Sequence, residues 1–180
     1  MRKNFEIETQ WRVFPLHPEI PEEGFTLEEL MAGRLVDTSQ MRLSWRQIAE
    51  ELGLPWGEPK IIYPTRPAQE MAKWAEAEGK GDEFHDRLFR AYFAEGRNIS
   101  LLDELVDLAQ SVGLPGQEAR TAVKFRAFKK EVDSDWARAQ SLFIYAVPTF
   151  VVGQKSLIGA QPYEVLEKFL QDNGVKKRPS

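Results

Sequence analysis

The sequence predicts an α/β fold in which a small sheet is interrupted by a long all-helical insertion. Three observations carry this. Residues 5–14, FEIETQWRVF, place Phe5, Ile7, Trp11 and Val13 between polar residues, the period of a strand with one buried face. Residues 145–170, YAVPTFVVGQKSLIGAQPYEVLEKFL, read as strand, turn, strand and helix. Between them, five or six helical patterns follow one another with only one short extended piece.

After the first strand, PLHPEIPEEG is too rich in proline for a helix or an inner strand. Thr26 opens a short helix, with Glu29 at capping-box spacing. A second helix covers about 40–52, with Met41, Trp45, Ile48 and Leu52 as its inward stripe and Gly53 as its stop. Thr65 is the candidate cap of a helix that ends before Gly79. The next starts near Asp82, carries Phe84, Leu88, Phe89, Tyr92 and Phe93, and ends before Gly96. Ser100 is the candidate cap for 101–112, whose inward residues are Leu102, Leu105, Val106, Ala109 and Val112. Residues 116–142 form one interrupted helix or two, with Phe125, Phe128, Val132 and Trp136 facing in.

The closing unit starts with Thr149 to Val152, an apolar run of β-branched and aromatic residues, as a well-buried strand would be. Gly153-Gln154-Lys155 turns the chain and Ser156 to Ile158 returns. Gly159-Ala160-Gln161 leads into a helix with Pro162 at its first position and Val165, Leu166, Phe169 and Leu170 on its apolar face.

The composition narrows the functional classes. The chain of 180 residues carries a net charge of −4 with both signs interleaved, so no basic surface for nucleic acid is expected. No apolar run reaches the roughly 18 residues of a membrane span. The opening MRKNFEIETQWRVF lacks the apolar segment of a signal peptide, which makes the cytoplasm the expected compartment. There is no cysteine, so these residues form no disulfide, thiolate metal site or cysteine nucleophile. His17 and His85 are the only histidines and neither stands at metal-ligand spacing, so no metal site is expected. Glu22-Glu23, Glu28-Glu29 and Glu50-Glu51 are sequence neighbours that do not face one another on a helix. They read as solvated surface, and Arg66 as a surface ion pair.

Five stretches resemble the DsbA-like thioredoxin-fold proteins, most closely the FrnE-type subgroup. They are WRVFPLHPEIPEEG (11–24), PTRPAQEMAKWAEAEGK (64–80), LFRAYFAEGRNIS (88–100), LVDLAQSVGLP (105–115) and AVPTFVVGQKSLIGAQPYEV (146–165). Relatives of this group include 2-hydroxychromene-2-carboxylate isomerase and kappa-class glutathione transferase. The resemblance implies a thioredoxin-like portion at 1–25 and 143–174, a helical insertion at 26–142 and a flexible tail at 175–180. It implies that Pro148 is the cis-proline facing the active site.

The departure is as informative as the match. Family members open with a strand, a Cys-x-x-Cys or a serine variant, and a long helix, before the strand that corresponds to 5–14. That βα piece of roughly 30 residues has no counterpart here. Either the polypeptide is shortened at its start or its coding sequence begins upstream of Met1. The thioredoxin-like portion is therefore expected to be incomplete at its N-terminal side, with unpaired strand edges. Residues 5–14 then close against 149–152, another chain fills the gap, as in a homo-oligomer through the exposed edge, or the isolated chain is poorly stable.

The resemblance implies a thiol–disulfide oxidoreductase, yet no residue here is a candidate nucleophile, so no catalytic residue is assigned. The substrate-binding candidates are Val147, Pro148 and Thr149, whose backbone in the family pairs with an extended peptide or protein thiol substrate, and Gly159, Ala160 and Gln161 before the helix. No cofactor is expected; the resemblance allows glutathione, as for a glutathione-dependent isomerase or transferase relative, whose usual serine would also lie in the missing segment, while a peptide- or partner-binding module is the other alternative.

Overall fold

A computed structural model describes residues 1–179. The elements run β1 (Phe25–Thr26), α1 (Leu27–Leu30), α2 (Thr38–Glu51), β2 (Ile61–Ile62), α3 (Arg66–Ala77), α4 (Gly81–Phe89), a π-helical turn (Arg90–Ala94), α5 (Leu102–Ser111), α6 (Gly116–Lys124), α7 (Lys129–Ser141), β3 (Thr149–Val152), β4 (Lys155–Ile158) and α8 (Tyr163–Asp172). The chain divides into two compact units, one of Met1–Leu16 with the residues from Ser134 onward, the other of His17–Asp133.

The helical unit, His17–Asp133, holds most of the core. Alanines at 68, 72 and 75 give α3 a low-profile face, against which α4, α5 and α6 place Phe84, Leu88, Leu105, Leu108 and Ala119. Local chemistry starts the helices. Glu29 N–H donates to Thr26 Oγ1 at 3.1 Å and Thr26 N–H to Glu29 Oε2 at 2.7 Å, a reciprocal capping box. Asp37 caps α2 by accepting from the N–H groups of Ser39 and Gln40. Gly57 lets two segments touch, since a Cβ there would collide with the carbonyl oxygen of Ala94. Strands β1 and β2 pair antiparallel through Phe25↔Ile62 and Thr26↔Ile61.

Several expectations change here. The α2 stripe does not face inward: Trp45, Ile48 and Leu52 are exposed, and the one buried residue of α2 is Ala49. The helix rests on its small side, and Trp45 leans edge-on against Trp56 at 6.3 Å. Ser100 is not a helix cap; its hydroxyl donates to Asn98 Oδ1, and Leu101 holds the cap position. Thr65 sits at the cap of α3 but its side chain makes no capping bond. Residues 116–142 break into α6 and α7 at Phe125-Arg126, where Arg126 has φ +51° and Phe125 is exposed instead of core. Arg66 is more than a surface pair: with Arg126 it neutralises Glu70, which is 3% exposed.

The other unit is thinly built. Strands β3 and β4 form an antiparallel hairpin in the register Thr149↔Ile158 to Val152↔Lys155, and no third strand joins them among the described residues. The strand expected at 5–14 does not form. Phe5 alone makes an isolated bridge, to Lys177. Ladder bonds need a neighbouring strand: Glu6 N–H still donates to the Lys176 carbonyl at 2.9 Å, but no strand pairs with 7–14 among the described residues, and Trp11 stays exposed. What places 12–13 is Asp135 on α7, 2% exposed, which accepts from Arg12 Nη1 at 2.8 Å and from Val13 N–H at 3.1 Å. Residues 175–179, expected within a flexible tail, run beside 2–6: Arg178 N–H donates to the Asn4 carbonyl at 2.9 Å and its Nε to the Phe5 carbonyl at 3.0 Å. The last expected tail residue, Ser180, lies outside the described residues.

Candidate functional site

The hairpin brings the two candidate stretches together. Because Thr149 pairs with Ile158, the residues just outside that pair, Pro148 and Gly159, also face each other, and Gly159 N–H donates to the Pro148 carbonyl at 2.7 Å. The Val147–Pro148 peptide is cis. Thr149 Oγ1 donates to the Ala146 carbonyl at 2.6 Å, closing a tight loop around the proline. Gly159 has φ +88°, a conformation that suits glycine. Val147 and Pro148 are exposed, whereas Thr149 is half-buried.

The start of α8 is less suited to an anion than its position suggests. Gln161 is turned back, its amide donating to the Ile158 carbonyl at 2.8 Å. Glu164 lies in the first turn and already places a carboxylate there. Ala160 is exposed and contributes backbone only.

The surroundings are apolar and open. No residue from 139 to 154 carries a charge. Phe143 is 85% exposed and Tyr145 76%, and Val147, Phe150 and Val151 are exposed beside them. The well-buried strand expected at 149–152 is not buried: Phe150 and Val151 are exposed because no third strand or helix covers this two-stranded hairpin among the described residues. Sequence reasoning passed over Phe143 and Tyr145; the uncharged run is the signal that could have found them.

Titratable groups are arranged elsewhere, in the helical unit, and serve structure. Burial pushes the Glu70 carboxyl up, but hydrogen bonds from Arg126 and Arg66 outweigh it and hold it below the usual range. Hydrogen bonds from Lys129 and Arg66 lower Asp133 to about 2. Burial raises Tyr92 to about 12. His17 pairs with Glu19, and His85 lies 3.5 Å from Glu76. No cluster of metal-ligating side chains occurs among the described residues. An open depression of ≈ 570 Å³ is lined by Asp82, Glu83, Asp86, Arg87, Ser111 and Val112. There Glu83 pairs with Lys80 and Asp86 with Arg90, as on an ordinary solvated face.

The family model of the DSBA-like thioredoxin domain matches residues 1–171. The chain belongs to this family. Among curated proteins, the DSBA-like chain is 30% identical over 178 residues to the uncharacterized protein YwbO of Bacillus subtilis (strain 168), spanning 97% of this chain and 86% of that one. Among solved structures, the probable DsbA oxidoreductase SCO1869 from Streptomyces coelicolor superimposes with TM-score 0.79 at 25% identity, over 88% of this chain and 71% of that one. Two further solved structures, each under 25% identical, share the fold. A 2-hydroxychromene-2-carboxylate isomerase has TM-score 0.66 at 17% identity, covering 79% of this chain and 74% of its own. The cytosolic disulfide reductase DsbM from Pseudomonas aeruginosa, solved with GSH, has TM-score 0.57 at 22% identity, covering 76% and 78%. The fold is thus DsbA-like thioredoxin with a helical insertion, in a chain without cysteine.

Proposed function

We propose that this chain is a FrnE-type member of the family that performs no thiol–disulfide exchange with its own residues. The observation that carries this is the absence of cysteine. Exchange proceeds by attack of a thiolate on a disulfide sulfur, and these residues contain no thiolate to attack with. In an insulin-reduction assay with dithiothreitol or glutathione as electron donor, the purified 180-residue chain is expected to match the protein-free rate. Turnover that scales with the chain's concentration refutes the proposal.

A second reading is that the protein holds an extended peptide at Val147, Pro148 and Thr149. It is favoured by the exposure of Val147 in a loop pinned on both sides, by Thr149 to Ala146 and by Pro148 to Gly159. Calorimetric titration with an uncharged extended peptide is expected to give measurable heat, and none at millimolar peptide sinks this reading. Glutathione is the weaker candidate, because Glu164 occupies the first turn of α8, where a carboxylate of the tripeptide would otherwise sit.

A further inference from the structure

Four helices of this chain end in the same way. The residue after the last turn is left-handed, and the next N–H reaches back to a carbonyl inside the helix: Leu54 to Ala49, Lys80 to Ala75, Leu114 to Ala109 and Val175 to Leu170. In each, the left-handed residue is glycine, at 53, 79, 113 and 174. The end of α6 repeats these bonds. Ala127 N–H donates to the Ala122 carbonyl at 2.9 Å and Arg126 N–H to the Val123 carbonyl at 3.0 Å. Yet Arg126 stands in the glycine position, at φ +51°, where a side chain is strained. The local sequence does not ask for a break. From Gln117 to Ser141 there is no glycine and no proline, and most residues are Ala, Glu, Lys, Arg or Gln, which favour a helix that runs on.

The hold on this break comes from α3. Glu70, 3% exposed, accepts from Arg126 Nη2 at 2.6 Å and from its Nε at 3.3 Å. Arg66, one turn earlier, donates its Nε to Glu70 at 2.8 Å. Its Nη2 donates to the Lys129 carbonyl at 3.1 Å and to Asp133 at 2.6 Å, in the first turns of α7. So α3 grips both the strained residue in the bend and the start of the next helix. We propose that the α6–α7 bend is a latched conformational element: Glu70 holds Arg126 in the bend, and without that hold residues 125–128 join α6 and α7 into one helix while α3 to α6 stay packed. Two opposing effects set the balance. The joined helix relieves the strain at 126, whereas the bent form keeps Val132 of α7 buried. α6 itself does not depend on the latch, because Ala119 and Ala122 already belong to the core shared with α3 and α5. The latch thereby decides where α7 starts, the helix that also carries Asp135, the anchor of Arg12 and Val13.

Backbone NMR shifts of 124–129 in the full chain read the bend directly, and three variants separate its causes. Arg126→Ala removes the hold and keeps the strain. It is expected to raise the helical population at 125–128 at least about tenfold. Glu70→Gln keeps the shape and removes the charge, and is expected to move the same shifts in the same direction by a smaller amount. Arg126→Gly removes the hold but also the strain, and is expected to keep the bend. Amide exchange at the buried Leu105 and Leu108 is expected to stay slow in all three. A bend unchanged in both Arg126→Ala and Glu70→Gln overturns the proposal, since local bonding then holds the break unaided. If Arg126→Ala does not fold, Glu70→Gln decides by the same shifts. Arg126→Gly losing the bend as readily as Arg126→Ala overturns it too, because the strain then plays no part. Fast exchange at Leu105 and Leu108 in both Arg126→Ala and Glu70→Gln is the last overturning result: the clamp then serves the whole unit and not the bend.

Discussion

The two units differ in how much apolar core they build. In the helical unit Phe84, Met71, Leu105, Leu108 and Val132 are fully buried. In the unit that carries the hairpin, Phe5 is the one large side chain in that state among the described residues. There Trp11, Phe143, Tyr145, Phe150 and Tyr163 stand exposed. The first unit has a core of its own although Leu35, Ile48, Leu52 and Phe125 stand exposed on it; the second has little core beneath its exposed apolar residues. An apolar patch of that kind on a soluble protein marks an interaction site more often than an accident of packing. On the proposed peptide-holding reading, the helical unit supplies most of the stability and the hairpin unit the binding surface.

The sharpest way to break this comparison is to weaken the helical core. Phe84→Ala leaves a cavity among α3, α4 and α5, and such truncations cost about 3–5 kcal/mol. Denaturant unfolding followed by tryptophan fluorescence should show a loss of that size, whereas Phe150→Ala should cost under about 1 kcal/mol because the ring is already partly in water. Equal costs would mean that the hairpin unit has a core of its own.

Next in size is the buried carboxylate. Glu70 accepts from Arg66 Nε at 2.8 Å and Arg126 Nη2 at 2.6 Å. Glu70→Gln should cost about 2 kcal/mol at neutral pH, less than a fully buried pair because Arg126 is half exposed. The sign with pH is fixed by the lowered carboxyl. Its stabilisation is complete above the ordinary carboxylate range and is lost as pH falls through the lower folded value. The wild-type acid limb should therefore be steeper than that of Glu70→Gln. At the alkaline end Tyr92 works in the opposite sense. Its hydroxyl ionises only near 12 in the fold, so stability should drop as pH climbs from the ordinary tyrosine value toward 12. Tyr92→Phe should remove that drop, and a pH series of melting temperatures reads both limbs.

The sequence made some of this legible and hid the rest for physical reasons. The helices of the core were readable because Leu105, Val106 and Ala109 recur at helical spacing and the partners they need are nearby in the chain. The meeting of 147–149 with 159–161 was readable because a tight turn sets hairpin register locally. Periodicity also misled. Met41, Trp45, Ile48 and Leu52 do form a stripe, but a stripe reports amphipathicity and not whether anything lies against it. Residues 5–14 alternate as a strand does, yet a strand exists only beside another, and that pairing is not a local property. Glu70 could not be read as buried, because one of its arginines lies 56 positions away. The segment 143–151 drew attention for its proline, while its exposed aromatic residues became visible only once burial was known.

The smallest expected effect is also the most telling about the hairpin unit. Phe143 sits at φ +53°, the left-handed region, which costs a side-chain-bearing residue about 1–2 kcal/mol. It recovers little of that by packing, being 85% exposed. Phe143→Gly should therefore leave stability unchanged or raise it by up to about 1 kcal/mol, with a sign opposite to that of every core truncation in the helical unit. On the peptide-holding reading, the same substitution should weaken binding of the uncharged extended peptide several-fold, because it removes an exposed apolar ring four residues before Val147. Measured together, the two readouts separate a residue kept for the fold from a residue kept for a partner. A loss of stability above 1 kcal/mol with unchanged peptide affinity would place Phe143 with the core and erase the contrast between the two units.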